Sequence, residues 1–244
     1  MMTRFFRDRV LEPGDIVRLD DDESHHLTVV LRANMDDRVV LVDGTGREWI
    51  AAVEKVDRNR AELSVVELSR ESAPAPFELY LYPGLLKGKK LERVVRDAAE
   101  LGVSGVVPCV TERSISRHLS DAKKARLETV AREESRLARR GSAVTISDIV
   151  VFSRAVQTAP GVKLFVWEES AGFLGDRLEE IGGPQRKVSV FTGPEGGFSP
   201  EEAVQAEEAG CIEAGLGDRI LRAETAPGVV ATILQYVWGG FIRS

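Results

Sequence analysis

The spacing of apolar positions divides the chain into a β-rich first part and a longer part in which strands and helices alternate. Val39, Val40, Leu41 and Val42 form an apolar run that breaks at Asp43-Gly44-Thr45-Gly46 and resumes at Trp49, Ala51 and Val53. That is the pattern of two strands joined by a tight turn. A further strand is expected from Ala61 to Leu68, and short strands at this spacing predict a small barrel. Glu71-Ser72-Ala73-Pro74-Ala75-Pro76 follows. Neither proline suits a helix interior or a central strand, so a linker is expected there. The chain is therefore divided into residues 1–72 and 77–244.

Beyond the linker, an apolar strand from Phe77 to Tyr82 leads through Pro83-Gly84 to a helix from about Lys89 to Leu101. Leu91, Val94, Val95 and Ala98 recur on one face of that helix, and Gly102 suits its C-terminal cap. A strand from Gly105 to Val110, a polar loop and a long helix from Ser120 to Arg140 come next. Strands are then expected at Lys163–Trp167 and Val188–Thr192, followed by a helix, a short strand at Ile212–Leu216 and a last helix from Thr225. Strands alternating with helices predict a mostly parallel α/β sheet.

Composition narrows the class. Among 244 residues, 43% are hydrophobic and 30% charged, enough to bury a sizeable core. No apolar run approaches the roughly eighteen residues of a membrane-spanning helix. Met-Met-Thr-Arg-Phe-Phe-Arg-Asp-Arg at the start carries charge where a secretory signal is apolar. The expectation is a cytoplasmic protein with no membrane partner. Cys109 and Cys211 lack metal-site or disulfide-framework spacing and read as core cysteines. His25, His26 and His118 show no ligand spacing either, so no metal is expected.

The net charge of −6 argues against a polyanion partner until its distribution is considered. Between Lys87 and Gly141 there are fourteen basic residues against eight acidic ones. A basic segment within an acidic chain fits a confined RNA-binding face. A pair of solvated helices fits the same numbers.

Two segments carry chemistry. In Thr192-Gly193-Pro194-Glu195-Gly196-Gly197-Phe198-Ser199-Pro200-Glu201-Glu202 a buried strand feeds a Gly-rich turn and then a helix. Ser199 is a natural N-cap, Pro200 fits the first helical position and Glu202 completes a capping box. Glycines at that point let the backbone approach a ligand beyond the carboxyl end of a strand. The spacing is neither the dinucleotide fingerprint nor a phosphate-binding P-loop. The second segment, Leu216-Gly217-Asp218-Arg219-Ile220-Leu221-Arg222-Ala223-Glu224-Thr225-Ala226-Pro227, is a polar excursion between a strand and a buried helix, the usual setting of a functional loop. Its arginines could also simply pair with Asp218 and Glu224.

These stretches resemble the small-subunit ribosomal RNA uridine-N3 methyltransferases (RsmE type) of the SPOUT superfamily. The resemblance spans essentially the whole chain: Arg4-Phe5-Phe6, His25-His26-Leu27 with Val30-Leu31-Arg32, Ala99-Glu100-Leu101-Gly102-Val103, and Thr111-Glu112-Arg113-Ser114. It is most specific at Gly193–Phe198 and Leu216–Ala226. It implies an N-terminal PUA-like β-barrel that binds RNA and a C-terminal SPOUT α/β domain with a deep trefoil knot. It also implies a homodimer, S-adenosyl-L-methionine as methyl donor, and 16S rRNA in the small ribosomal subunit as partner. Donor contacts fall by motif matching on Thr192, Gly193, Glu195, Gly197, Leu216, Gly217, Ile220, Leu221 and Arg222, with Trp167 and Glu168 as additions. Contacts to RNA fall on Arg4, Arg32, Lys87, Lys89, Arg113 and Arg140. Arg222 is the expected catalytic residue, either stabilising charge on uracil O2 and O4 or orienting the base. Glu224 is expected to pair with an arginine. On the long basic helix the chain departs from the family: Leu137 follows Arg136 where a glutamine is usual, and only Arg140 matches. Methylation of a different RNA by the same fold, an RNA-binding ribosome-assembly factor without catalysis, and an α/β enzyme using another nucleotide are the competing readings.

Overall fold

A computed structural model describes residues 2–57, 60–70 and 75–241. Residues 71–74 of the expected linker, and with them the boundary at 72, lie outside the described residues. The chain forms two compact units, Met1–Pro74 with Arg139–Ala143, and Ala75–Ala138 with Val144–Ser244.

In the first unit the elements are β1 (Arg4–Phe6), β2 (Ile16–Arg18), α1 (Asp21–His25), a π-helical turn (His26–Val30), β3 (Arg38–Val42), β4 (Glu48–Asp57) and β5 (Arg60–Arg70). They build a five-stranded sheet in the order β1-β3-β4-β5-β2. β1 runs parallel to β3 and the other pairs are antiparallel. Register shifts in the β4–β5 ladder mark bulges, which bend a sheet. Both faces of β3 are covered, Val39 and Leu41 in one apolar cluster, Val40 and Val42 in another. The short α1 was not expected from apolar spacing. Its signal is local: the Asp20 side chain accepts the Glu23 N–H and the Glu23 carboxylate accepts the Asp20 N–H, a capping box.

The turn between β3 and β4 is organised by one carboxylate. Asp43, 2% exposed, accepts hydrogen bonds from Thr45 N–H and Oγ1–H, Arg47 N–H, Trp49 Nε1–H and, at 3.5 Å, Leu11 N–H.

The second unit contains β6 (Glu78–Pro83), α2 (Lys90–Glu100), β7 (Gly105–Val106), β8 (Cys109–Val110), α3 (Asp121–Leu137), β9 (Thr145–Ile146) and β10 (Val150–Val151). It continues with α4 (Phe152–Thr158), β11 (Val162–Val166), α5 (Leu174–Ile181), β12 (Lys187–Thr192), α6 (Pro200–Glu208), β13 (Ile212–Ala214) and α7 (Ala226–Val237). Six strands form a wholly parallel sheet in the order β13-β11-β12-β6-β7-β9, and β8 pairs with β10. The period-2 alternation of strands sorts side chains between the two faces. Leu79, Leu81, Leu164, Val188 and Val190 join α2 and α7 in an aliphatic cluster. Tyr82, Phe165 and Phe191 join Phe152 of α4 and Phe198 in an aromatic one, with Tyr82 and Phe191 stacked at 4.7 Å and the tilted rings of Phe165 and Phe198 4.4 Å apart. Burial on both faces explains why these strands read as continuous apolar runs.

Three sequence expectations need correction here. The single strand from Gly105 to Val110 is two short strands. Pro108 has no N–H for a ladder, and the chain changes partner around it, from β6 to β10. The long helix stops at Leu137 rather than Arg140, and Arg139 takes a positive φ of 54°. Of the two core cysteines, Cys109 is buried but Cys211 only half so. Among the described residues no helix is long and apolar enough to cross a membrane, and no group of His, Cys, Asp or Glu is arranged to hold a metal.

Candidate functional site

Three neighbouring parallel strands, β13, β11 and β12, end side by side. Beyond their carboxyl ends lies a cavity of about 700 Å³, where open α/β sheets bind ligands. Its walls come from four separate stretches: Lys90 at the start of α2, residues 166–173 after β11, the Gly-rich turn after β12, and residues 216–226 leading into α7.

The Gly-rich turn is held at both ends. Upstream, Gly84 N–H donates to Thr192 O at 2.8 Å. Downstream, Phe198 is sunk in the aromatic cluster. Ser199 caps α6 reciprocally with Glu202, whose other carboxylate oxygen accepts Glu112 N–H at 2.9 Å. Between these anchors Gly197 takes φ +68°, a conformation that favours glycine. A Cβ on Gly84 would stand 2.5 Å from Pro194 N and 3.0 Å from the Gly193 carbonyl carbon. Backbone on both sides cannot swing away, so Gly84→Ala is expected to displace the turn, lowering stability by about 1–3 kcal/mol and weakening ligand binding. Thermal unfolding and calorimetric titration check this. An alanine variant matching the parent in both would remove the steric argument.

The loop after β13 is tied back by Gly215 N–H to Gly172 O at 2.6 Å and Leu174 N–H to Gly215 O at 2.9 Å. At its other end Arg222 O accepts the N–H groups of Thr225 and Ala226. Between these ties Gly217, Asp218, Arg219, Ile220 and Arg222 are exposed, Ile220 to 86%. Among the described residues no ion pair engages Arg219 or Arg222.

Glu224 was expected to meet an arginine, and its partner is instead Lys90, with Nζ 3.6 Å from Oε2. The same ammonium lies 3.1 Å from Glu195 Oε1, which also accepts Lys87 N–H at 3.1 Å. Burial pushes the Glu195 carboxyl up, but its own N–H, the Lys90 ammonium and Lys87 N–H outweigh this and hold it below the usual carboxylate range. The hydrogen bond to Glu195 raises Lys90 in turn. Thr192 Oγ1, Trp167 Nε1, Glu195 Oε2 and Glu224 Oε2 are buried at this cavity without a hydrogen-bond partner. Of these, Glu224 Oε2 has only the 3.6 Å contact to the Lys90 ammonium, and the other three lack any polar partner among the described residues.

All nine residues matched to donor contacts line this cavity: Thr192, Gly193, Glu195, Gly197, Leu216, Gly217, Ile220, Leu221 and Arg222. Trp167 and Glu168 line it too. Sequence reasoning missed Lys90, Phe173 and Ala223, among others; Lys90 had been counted only as part of a basic segment. The residues matched to RNA are scattered. Lys87, Lys89 and Arg113 are exposed in the second unit, and Arg113 Nη1 donates to Gly196 O at 3.1 Å. Arg4, Arg32 and Arg140 belong to the first unit. The Arg4 guanidinium is committed to Glu48 in a bidentate pair at 2.9 and 2.8 Å. Arg140 is half-buried, and loss of solvent lowers its pKa to about 10.

Residues 73–235 match a family model described as an RNA methyltransferase domain, and residues 19–66 one described as an RNA methyltransferase PUA domain. Ribosomal RNA small subunit methyltransferase E of Bacillus subtilis is 27% identical over 96% of each chain. Its counterpart in Synechocystis is 30% identical over 87% of this chain and 70% of its own length. A crystal structure of ribosomal RNA small subunit methyltransferase E from Neisseria gonorrhoeae, bound to S-adenosyl methionine, superposes with a TM-score of 0.88. It is 29% identical and covers 98% of both chains. With an N-terminal PUA-like domain and a C-terminal methyltransferase domain in one mixed α/β architecture, the chain belongs to the RNA methyltransferase family that includes the ribosomal RNA small subunit methyltransferases E.

Proposed function

We propose that the chain is an S-adenosylmethionine-dependent methyltransferase acting on N3 of a uridine in 16S ribosomal RNA of the small subunit. The observation that carries this reading is the single cavity lined by every residue matched to the donor. Its chemistry fits the donor. Thr192 Oγ1, Trp167 Nε1 and Glu195 Oε2 are buried polar atoms in need of partners, and Leu216, Leu221 and Ala223 supply apolar wall. The donor, when bound, supplies a methyl group on a positively charged sulfur. The chain's own contribution is to hold the nucleophile in line with that methyl, the effect worth most in such a transfer.

Uracil N3 must give up its proton, and negative charge then spreads to O2 and O4. Arg222, exposed at the cavity and without a carboxylate partner among the described residues, is the group to face that charge. Glu224 serves poorly as the base, because its buried Oε2 already faces the Lys90 ammonium at 3.6 Å. Uracil N3 lies on the base-pairing edge, so the target is unpaired or splayed out. Lys87, Lys89 and Arg113 are exposed and suited to backbone phosphates. Arg32 is exposed in the PUA-like domain.

A homodimer and a deep trefoil knot belong to this reading. The outer face of α7 and its extension leave Tyr236 79% exposed, with Val237 and Phe241 half exposed, an apolar surface suited to a second copy. In support of the knot, β13 lies at the sheet edge beyond β11, yet the helix that follows packs on central β6 and β12. The protein works in the cytoplasm, with no membrane and no metal in the reaction.

The test is transfer of labelled methyl to small-subunit particles, naked ribosomal RNA and tRNA, with nucleoside mass spectrometry. We expect 3-methyluridine in small-subunit RNA. Another methylated nucleoside would overturn the target and retain the class, and no transfer to any RNA would leave a binding protein.

A further inference from the structure

We propose that Lys90 is a positioning residue for the methyl donor, its ammonium clamping Glu195 of the Gly-rich turn to Glu224 of the loop before α7. The inference rests on reading the cavity as the donor site.

Lys90 stands on a rigid base. It opens α2, whose Leu91, Val94, Val95, Ala98 and Ala99 are all buried. A cation in the first turn opposes the helix dipole, so the helix itself gives no reason for a lysine there. The two carboxylates do. Glu224 is buried and Glu195 partly so, with side chains 8% and 19% exposed, while the lysine reaches in from a more open position. A surface pair of this length contributes little. A buried carboxylate that loses its cation is another matter, because the uncompensated charge strongly favours rearrangement or protonation.

The clamp also has direction. Lys90 and the Lys87 N–H both occupy Oε1 of Glu195, and Oε2 is left buried and without a partner. Glu224 Oε2 has only the longer contact to the same ammonium. One cation thus sets the orientation of two carboxylates on two irregular segments that both line one cavity. The other charged groups around it are Glu168 after β11, and Asp218, Arg219 and Arg222 in the loop before α7. Without Lys90, the Glu195 carboxylate loses the cation that offsets its partial burial.

The sign of the pH effect follows. Glu195 is held below the usual carboxylate range, so donor affinity persists at mildly acidic pH and falls only as pH drops through that lowered value. Removing Lys90 moves the fall to higher pH.

The experiment is calorimetric titration of the full chain with S-adenosylmethionine from about pH 4.5 to 8, a window that opens just above ordinary carboxylate values, so that the parent's acid limb falls below it and a raised one falls inside it. It compares the parent, K90M, K90R, E195Q and the double variant K90M/E195Q. K90M is expected to bind about tenfold or more weakly, with its acid limb at higher pH, whereas K90R, keeping the charge, stays within about threefold. If Lys90 acts chiefly through Glu195, the double variant, in which only the longer contact to Glu224 is further lost, binds at most slightly worse than E195Q. That comparison leaves no lone buried carboxylate at 195, so it stands even if K90M alone fails to fold. Parent-like K90M, or penalties that add fully in the double variant, would overturn the proposal. A parent chain with no donor affinity would instead overturn the donor-site reading.

Discussion

Replacing Arg222 with alanine is expected to lower the turnover of methyl transfer by about 10²–10³-fold, the usual cost of deleting a group that stabilises a developing anion. The fold should survive. The Arg222 side chain is exposed, and the turn it belongs to is made by its carbonyl, which accepts Thr225 N–H at 2.8 Å and Ala226 N–H at 3.1 Å and persists in alanine. Steady-state kinetics separate its two roles. A fall in kcat with unchanged KM for RNA identifies stabilisation of charge on uracil O2 and O4. A rise in KM with intact kcat identifies base orientation. Unchanged values of both would remove Arg222 from the mechanism.

Asp43→Ala should destabilise the PUA-like domain by about 3–5 kcal/mol, because a buried charge with several donors is lost and the donors are stranded. Thr45 N–H at 2.8 Å, Thr45 Oγ1 at 2.6 Å, Arg47 N–H at 3.1 Å and Trp49 Nε1 at 2.9 Å all lose their acceptor. Asn at the same position keeps one oxygen and should lose less. Burial alone would push the Asp43 carboxyl up, but the Thr45 and Trp49 side chains with the Thr45 and Arg47 N–H groups hold it below its ordinary 3.8. A depressed carboxyl stabilises the fold above its unfolded pKa and loses that contribution as pH falls through the folded value. The parent should therefore show an acid-sensitive step below about pH 4 that the alanine variant lacks. Amide exchange across residues 38–57 in the full chain, read against pH, measures both effects. Parent-like protection in the variant would sink the prediction.

What could be read from sequence was local. Ser199, Pro200 and Glu202 form their cap within four consecutive positions, so strand, turn and helix after β12 were legible residue by residue. The capping box Asp20–Glu23 is equally local, but the five-residue α1 it starts is too short to show an apolar period. The role of Lys90 was not legible, because its two carboxylates come from the far end of the chain and only the parallel sheet brings them together. Arg4 is similar: Glu48 meets it across the sheet, and nothing near Arg4 announces it. The surplus of basic residues between Lys87 and Gly141 also overstated free charge. Arg96 pairs with Glu134, Arg126 with Glu92, and Lys124 with Asp148. Part of that segment is cross-linked helix surface, so less of its charge is available to phosphate than the raw count suggests.

The four stretches around the cavity arrive in a fixed order during synthesis. Lys90 emerges first and Glu224 last, after nearly the whole methyltransferase domain has left the ribosome. Pairings this distant in sequence form late and slowly. A nascent chain that has made β6, β11 and β12 has strands but no donor pocket, because the last wall lies between β13 and α7. Methyl-donor affinity should therefore switch on once the segment between β13 and α7 has been made, rather than grow with chain length. An unfinished copy then carries no donor and cannot modify RNA.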